Sequence, residues 1–526
     1  MTLTSWFIFF LIVQVIHFLS TWKLYQKAGR KSWEAAIPVY NAIVLMKIIN
    51  RPTWWTFLLF LPVINLIVFP VIWVETLRSF GKNSTIDTIL AIVTCGLYIA
   101  FVNYTQDVTY IKDRSLTPIT KTGDTVSSLL FAIVVATFVH TYFIQPFVIP
   151  SSSLEKTLLI GDFLFVSKQS YGARVPMTTV AAPMVHDSIP LLGRLSYLPK
   201  PLLPYFRFPA FQKIKNNDIV VFNWPRDTLD HMYHPSPIRV DKPIDKKTNY
   251  VKRCVGIPGD SLLIKDGIVF INGKELILPE RAKPQYSYKV AFNQNTDLDI
   301  ASILKELNST DGANLIGKER DTLYIAALTF DGAVKLRNVY GIKSVTRVIN
   351  KEAEDGIFPD FKDTKVSKTF NWCNDNFGPI YIPQEGKTVV LTPKNLALYR
   401  KVITEYEGNT LRLNGAEIFI NDKKVTSYTF QQNYYWMMGD NRHNSLDARY
   451  FGYTPEDHVV GKPIFIWMSW DSNGKGINKI RWERLFTTVN GDGQPQSYFK
   501  YFLIALALYF GLEYLWKKRK GNKENL

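Results

Sequence analysis

QPFVIPSSSLEKTLLIGDFLFVSK, residues 145–168, decides how this chain is read. It follows directly on an apolar run and sets three serines behind Pro150, with Lys156 close after them. A hydroxyl is a poor nucleophile at neutral pH unless a base takes its proton, so the serines matter only together with a partner. The stretch also divides the chain. Before it the sequence is dominated by apolar runs, and after it by a long polar region with β-like alternation.

Apolar runs at about 4–21, 53–74 and 87–104 precede it, a fourth at 126–144 abuts it, and a fifth spans about 498–515. Each supplies close to the ~20 apolar residues that cross hydrocarbon. The first has neither a basic start nor a small-residue cleavage site, so it reads as retained. An amphipathic piece, Trp33 to Ile49, carries Pro38 and is expected on or partly in the bilayer. Between Trp22 and Pro52 lie six basic residues, Lys23, Lys27, Arg30, Lys31, Lys47 and Arg51; the 75–86 loop holds Arg78 and Lys82. Lys112, Arg114 and Lys121 follow in the 104–125 loop, and the tail carries Lys517, Lys518, Arg519 and Lys520. With the N-terminus outside, the basic-rich segments and the 516–526 tail fall on the cytoplasmic side, and 145–497 is delivered to the outer face, tethered at both ends.

Of the 526 residues 47% are apolar, so burial does not limit the fold. The net charge of +17 is spread rather than striped along one face, which argues for a membrane surface and against nucleic acid. Three cysteines, Cys95, Cys254 and Cys373, cannot build a disulfide framework; one bridge between Cys254 and Cys373 and two free buried thiols both fit.

In the polar region, DIVVFNWPRD (218–227), DSLLIKDGIVFINGKEL (260–276), NTLRLNGAEIFINDKKV (409–425) and KPIFIWMSWD (462–471) predict strands between Asp-Gly, Asn-Gly and Pro signals. GIVFINGKEL and AEIFINDKKV are near-duplicate hairpins, and a helix is expected over Lys394 to Tyr406. The expected architecture is a multi-pass α-helical membrane anchor (1–125 with three spans, then 126–144) carrying a mainly β, antiparallel extracytoplasmic domain. Its core comprises 145–276 and 430–497, with 277–429 inserted as a subdomain, and a last span at 498–515.

Two lysines compete as the serines' partner. Ser153-Leu154-Glu155-Lys156 spells S-x-x-K, the spacing of penicillin-binding acyl transferases, but the only K-T-G, Lys121 to Gly123, lies upstream on the expected inner side. The other is Lys252 in NYVKRCVGIPGD (249–260), on a predicted strand among Val251, Cys254 and Val255, with Arg253 on the opposite strand face. An ammonium held among apolar side chains loses solvation, which lowers its pKa and frees the amine as a base. A third stretch, MGDNRHNSLDARYFG (438–452), is too polar and turn-rich for a core strand and lacks the register of a Ca²⁺ loop.

Together PSSSLEKTLLIGDFLFVSK, YVKRCVGIPGD and MGDNRHNSLDARYFG, in that order after a membrane span, resemble the bacterial type I signal peptidases, membrane-bound Ser/Lys-dyad endopeptidases of peptidase family S26; FIWMSWD (465–471) fits the same pattern. The resemblance covers about 126–275 and 430–475. It implies Ser153 as nucleophile and Lys252 as general base. Ser151 stands where a hydroxyl joins the nucleophile's backbone N–H in the oxyanion hole, and Ser445 where a hydroxyl holds the lysine. Asp447 and Arg449 match an ion pair shaping the site, with Asp440 in support. Leu154 replaces a methionine at similar volume, and Lys156 replaces a proline.

The resemblance further implies a β-rich catalytic fold in the bacterial cytoplasmic membrane, cleavage of signal-peptide-bearing precursors after small residues at −1 and −3, and no cofactor or metal. The seven histidines agree: His231 and His234 bring no Cys partner, and His443 stands where the family needs no histidine. The extra spans leave three roles open, presenting substrate, contacting the export machinery, or anchoring. Two other readings remain at this point: a penicillin-binding-type acyl transferase, and a surface-tethered binding protein without turnover.

Overall fold

The computed structural model describes residues 2–524 apart from 119, 191, 229–238, 294, 297, 308, 310, 318–320 and 360–369, and only the backbone of 519–524. His231 and His234 lie outside the described residues. The chain divides into two units, one of Met1–Ile144, Gly172–Pro209 and Asp227–Lys247, the other of Gln145–Tyr171, Ala210–Arg226 and Thr248–Leu526.

The Met1–Ile144 segment of the first unit is helical. Helix Leu3–Lys27 starts where the Thr2 hydroxyl accepts the Ser5 N–H, and helix Lys121–Tyr142 where the Thr120 hydroxyl accepts that of Gly123. Both are long and apolar enough to cross a membrane, as is Phe499–Lys518 in the second unit. The runs at 53–74 and 87–104 differ from expectation, because neither is one continuous helix. Around the first, a short Trp55–Leu58 helix gives way to Asn65–Ser79, with Pro52 and Pro62 outside the helices and Pro70 within the second. Proline removes a ladder donor and crowds the preceding turn, a break that a hydropathy window does not register. The second run stops at Val93 and resumes at Tyr98, with Cys95 and Gly96 both at positive φ. A Cβ on Gly96 would lie 2.7 Å from the Trp73 ring, so the turn needs glycine twice over. Trp33–Ile49 contains helix Tyr40–Ile48, which buries Val44, Leu45, Met46 and Ile48 in this unit's core.

The second unit is mainly antiparallel β. Its largest sheet is built from β1 (Ile144–Val148), β2 (Asp162–Ser167), β3 (Ile219–Asn223), β4 (Asn249–Gly256), β5 (Tyr434–Met438), β6 (Thr454–Pro455), β7 (Val459–Ser469) and β8 (Thr487–Thr488). The order is β1-β2-β7-β3-β4-β5-β6, with β8 on β7. The burial of every residue of β3 and β5 fits strands covered on both faces. Register sets Lys252 opposite Val220, and Arg253 opposite Ile219 on one side and Met438 on the other.

The two near-duplicate hairpins are both three-stranded meanders, Ser261–Lys265, Ile268–Ile271, Lys274–Glu275 and Leu411–Asn414, Glu417–Ile420, Lys423–Val425. Asn272-Gly273 and Asn421-Asp422 turn them at positive φ, the geometry that matches strand twist. The helix expected over 394–406 runs Leu396–Lys401 and continues as a wider turn to Tyr406.

The segment 277–429 does not fold as one inserted body. Its first part forms a separate sheet, Ile342–Arg347, Gln285–Phe292, Thr322–Thr329, Ala313–Ile316 in spatial order, over its own core of Tyr286, Tyr288, Val290, Leu323 and Ile325. From Phe377 onward its apolar residues, Ile380, Ile382, Leu396 and Val402 among them, join the same core as Phe222 and Trp436 of the large sheet.

Candidate active site

After β1, Ser151 stands at the entry to a single turn of 3-10 helix, Ser152–Leu154, which carries the other two serines. Leu154 is fully buried among Ile149, Leu158, Leu164, Val166 and Ile219, and the Glu155 and Leu158 amides donate back to the Ser152 and Leu154 carbonyls. That apolar anchor fixes the neighbouring Ser153, and a leucine fills the position without loss of packing. Lys156 follows at φ 71°, which a proline ring cannot adopt, so the turn departs here from the family pattern in backbone as well as side chain.

Lys252 on β4 and Ser153, 99 residues apart, meet with Nζ and Oγ at 2.6 Å. Lys252 is 4% exposed and Ser153 8%. Burial lowers the Lys252 pKa from its ordinary 10.5 to about 8; Asp447 and Asp440 pull it upward and Arg449 downward, and burial wins. The aromatic ring of Tyr250, two residues back on the same strand face, lies 5.3 Å from Nζ. Lys156, the rival amine, stands 3.8 Å from the Glu155 carboxylate.

Arg253 turns away from Lys252 and clamps Asp440, donating from Nε at 2.8 Å and Nη2 at 2.7 Å; Thr157 Oγ1 donates to the same carboxylate at 2.6 Å. Burial raises the Asp440 pKa, but Arg253 overrides it and holds the carboxyl below the usual range. Farther along the same loop, Arg449 donates from Nε at 2.9 Å and Nη2 at 2.8 Å to Asp447, which also accepts the Gly439 N–H. Asp447 too is held below the ordinary carboxylate range, Arg449 outweighing burial. Two buried bidentate pairs thus brace the loop after β5, and the Asn441 N–H donates to the Ser153 carbonyl at 3.1 Å.

Two predicted residues stand differently. Ser151 is exposed at the entry to the 3-10 turn. Ser445 does not make the expected hydrogen bond to Lys252: among the described residues its Oγ is buried without a partner, and the lysine bonds Ser153. Ser445 packs on Gly439, where a Cβ would come within 2.2 Å of the hydroxyl and 2.6 Å of the Ser153 carbonyl, so only glycine fits between them.

The sequence reading missed the contacts from 277–429. The Ser287 backbone N–H donates to His443 Nδ1 at 3.0 Å, which leaves Nε2–H to donate to Asp375 at 3.0 Å. Arg449 Nη1 donates to the Asn374 carbonyl, and Asp311 accepts from Asn441 and Asn444 beside Ser152. No local signal marks Asp311 or Asp375, which lie 130 and 68 residues from their partners.

A serine buried against a lysine of lowered pKa, in an antiparallel β unit on a chain with membrane-length apolar helices, fits a membrane-anchored serine endopeptidase. The comparisons agree. The family described as "Signal peptidase, peptidase S26" matches residues 122–316 and 386–470, over half of the chain, and a "Family of unknown function (DUF5684)" matches 33–113. Proteins named "Signal peptidase I" are similar over much of the chain. The one from Buchnera aphidicola subsp. Schizaphis graminum is 25% identical, covering 66% of this chain and 74% of its own. Those from Haemophilus influenzae and Helicobacter pylori are 24% and 25% identical, over 71% and 69% of this chain and 77% and 92% of theirs. The chain belongs to the signal peptidase family, peptidase S26, and its activity is the removal of signal peptides.

Proposed function

We propose that Ser153 is the nucleophile and Lys252 the general base with which this peptidase cleaves exported precursors after small residues at −1 and −3. The observation that carries the reading is the 2.6 Å approach of a buried amine to a buried hydroxyl. With Lys252 neutral, the serine O–H donates to the amine lone pair, and the proton moves to nitrogen as Oγ attacks the scissile carbonyl. The ammonium formed sits near Asp447 and Asp440, whose charges favour it at the moment it appears. It then protonates the leaving amine, and the amine, neutral again, activates water to free the acyl-enzyme. The Ser151 hydroxyl and the Ser153 N–H hold the oxyanion, each donor contributing on the order of 3 kcal/mol. Ser445, with an unspent buried hydroxyl, supports the site through Gly439 and the Ser153 backbone.

The chain sits in the bacterial cytoplasmic membrane with its N-terminus and the β unit on the outer face. Dropping both the 53–74 and 87–104 runs from the count of crossings leaves this orientation unchanged, because they are a pair. It keeps the basic segment between the two N-terminal helices on the inner side. Ser153 lies about ten residues beyond helix Lys121–Tyr142, a reach that holds it near the bilayer surface where a signal peptide ends. Contact of the N-terminal unit with the export machinery belongs to the same proposal.

Purified full-length protein is tested on a labelled secretory precursor in EDTA. Release of a product beginning just after a small residue, lost in Ser153→Ala, supports the assignment. Full cleavage by Ser153→Ala overturns it, and labelling of Ser153 by a β-lactam without precursor processing favours the acyl-transferase reading instead.

A further inference from the structure

In the stretch matched by a family without assigned function, residues 33–113, two arginines, joined by Arg114 just past its end, come to one carboxylate. Glu75, in helix Asn65–Ser79, is 4% exposed. Its Oε2 accepts from Arg51 Nη2 at 3.2 Å and from Arg114 Nη2, and Arg78 Nη1 lies 3.5 Å from Oε1. Asp113, beside Arg114 in sequence, joins none of these contacts.

One carboxylate balances one guanidinium, and Arg114 is that partner. Other donors go to the Ile49 carbonyl at 3.1 Å, the Ser79 hydroxyl at 3.0 Å and the Ser115 carbonyl at 3.3 Å, so each of its three nitrogens is engaged. The other two arginines are not. Arg51 Nε is buried with no hydrogen-bond partner among the described residues, and the Arg51 Cζ lies 5.1 Å from the Trp55 ring centroid. Arg78 has only the 3.5 Å ion contact among the described residues. A partly buried guanidinium with unused donors is costly unless an anion supplies acceptors. The uncompensated charge here is two, and the forked donors match phosphate oxygens.

The surroundings identify the source of that phosphate. Trp54, next to Trp55 and three residues from Arg51, is 61% exposed, and Phe57 and Phe60 are exposed as well. Large apolar and tryptophan side chains left open beside basic residues are the pattern of a membrane interface, where the available phosphate carries acyl chains. We propose that Arg51 and Arg78 bind the phosphodiester headgroup of an anionic phospholipid, on a platform held by the Arg114–Glu75 pair.

The test uses full-length protein in nanodiscs of phosphatidylcholine, with or without phosphatidylglycerol, reading lipid retained in native mass spectra and the unfolding temperature. Wild type is expected to retain phosphatidylglycerol preferentially and to unfold at higher temperature with it. Arg51→Gln and Arg78→Gln should each cut the preference about fivefold, the effect of one interfacial charge, while processing precursor in phosphatidylcholine as wild type does. Arg78, the more exposed of the two, gives the variant least exposed to folding defects. The absence of any preference, or a preference unchanged in both variants, overturns the proposal. Equal stabilisation by inorganic phosphate in phosphatidylcholine discs overturns the lipid as its source.

Discussion

Arg253 holds Asp440 through two parallel N–H···O bonds of 2.8 and 2.7 Å, with both groups fully buried. Because Arg253 follows Lys252 on β4, one strand presents the amine to Ser153 on one face and anchors the loop after β5 on the other. The loop in turn returns Asp447 and its charge to the neighbourhood of the amine. The position of the proposed base and the electrostatics acting on it therefore come from the same pair of adjacent residues.

Arg253→Gln is expected to destabilise the protein by about 3–5 kcal/mol at neutral pH, because it leaves the Asp440 carboxylate buried and uncompensated. In the wild type the Asp440 pKa is depressed on folding, so its stabilisation is present above the ordinary carboxylate range and is lost as pH falls through the folded value. The difference between variant and wild type should accordingly shrink in acid. Denaturant midpoints measured across that range check it; a deficit independent of pH would mean that the pair is not the cause.

Ser151→Ala should lower kcat by about a hundredfold with little change in KM, the signature of a donor that acts on the oxyanion alone. Steady-state kinetics on a precursor peptide decides it, and a purely KM effect would move Ser151 to substrate binding.

His443→Ala strips both the Ser287 N–H and the Asp375 carboxylate of their partner. A loss of about 1–3 kcal/mol is expected, with faster hydrogen exchange at the Ser287 amide than in wild type. Unaltered exchange would show that the histidine does not tie this sheet to the loop.

That Ser153 and Lys252 would meet was legible because both stand in short, chemically dense stretches, PSSSLEK and YVKRC, and the β architecture because Asp-Gly and Asn-Gly turns punctuate alternating strands. Other features had no local trace. Hydropathy counts apolar residues but is blind to where Pro62, Pro70 and the Cys95-Gly96 turn interrupt them, so two runs of membrane length resolve into shorter helices. Asp311 and Asp375 reach the loop only through tertiary folding, and nothing near them in sequence names a partner. The Ser445 contact expected from the resemblance is absent among the described residues, where Lys252 bonds Ser153 at 2.6 Å and the Ser445 hydroxyl packs on Gly439.

The most direct test of the proposed dyad is kcat/KM against pH on a labelled precursor, which reports the free enzyme's essential base. Lys252 must be neutral to act, so activity should rise with pH and reach half its plateau near the lowered value of about 8. Lys252→Ala should abolish cleavage by about ten-thousandfold or more, while Lys156→Ala keeps both the activity and the midpoint. An acid limb that moves or vanishes in Lys156→Ala, with cleavage surviving in Lys252→Ala, would contradict the account.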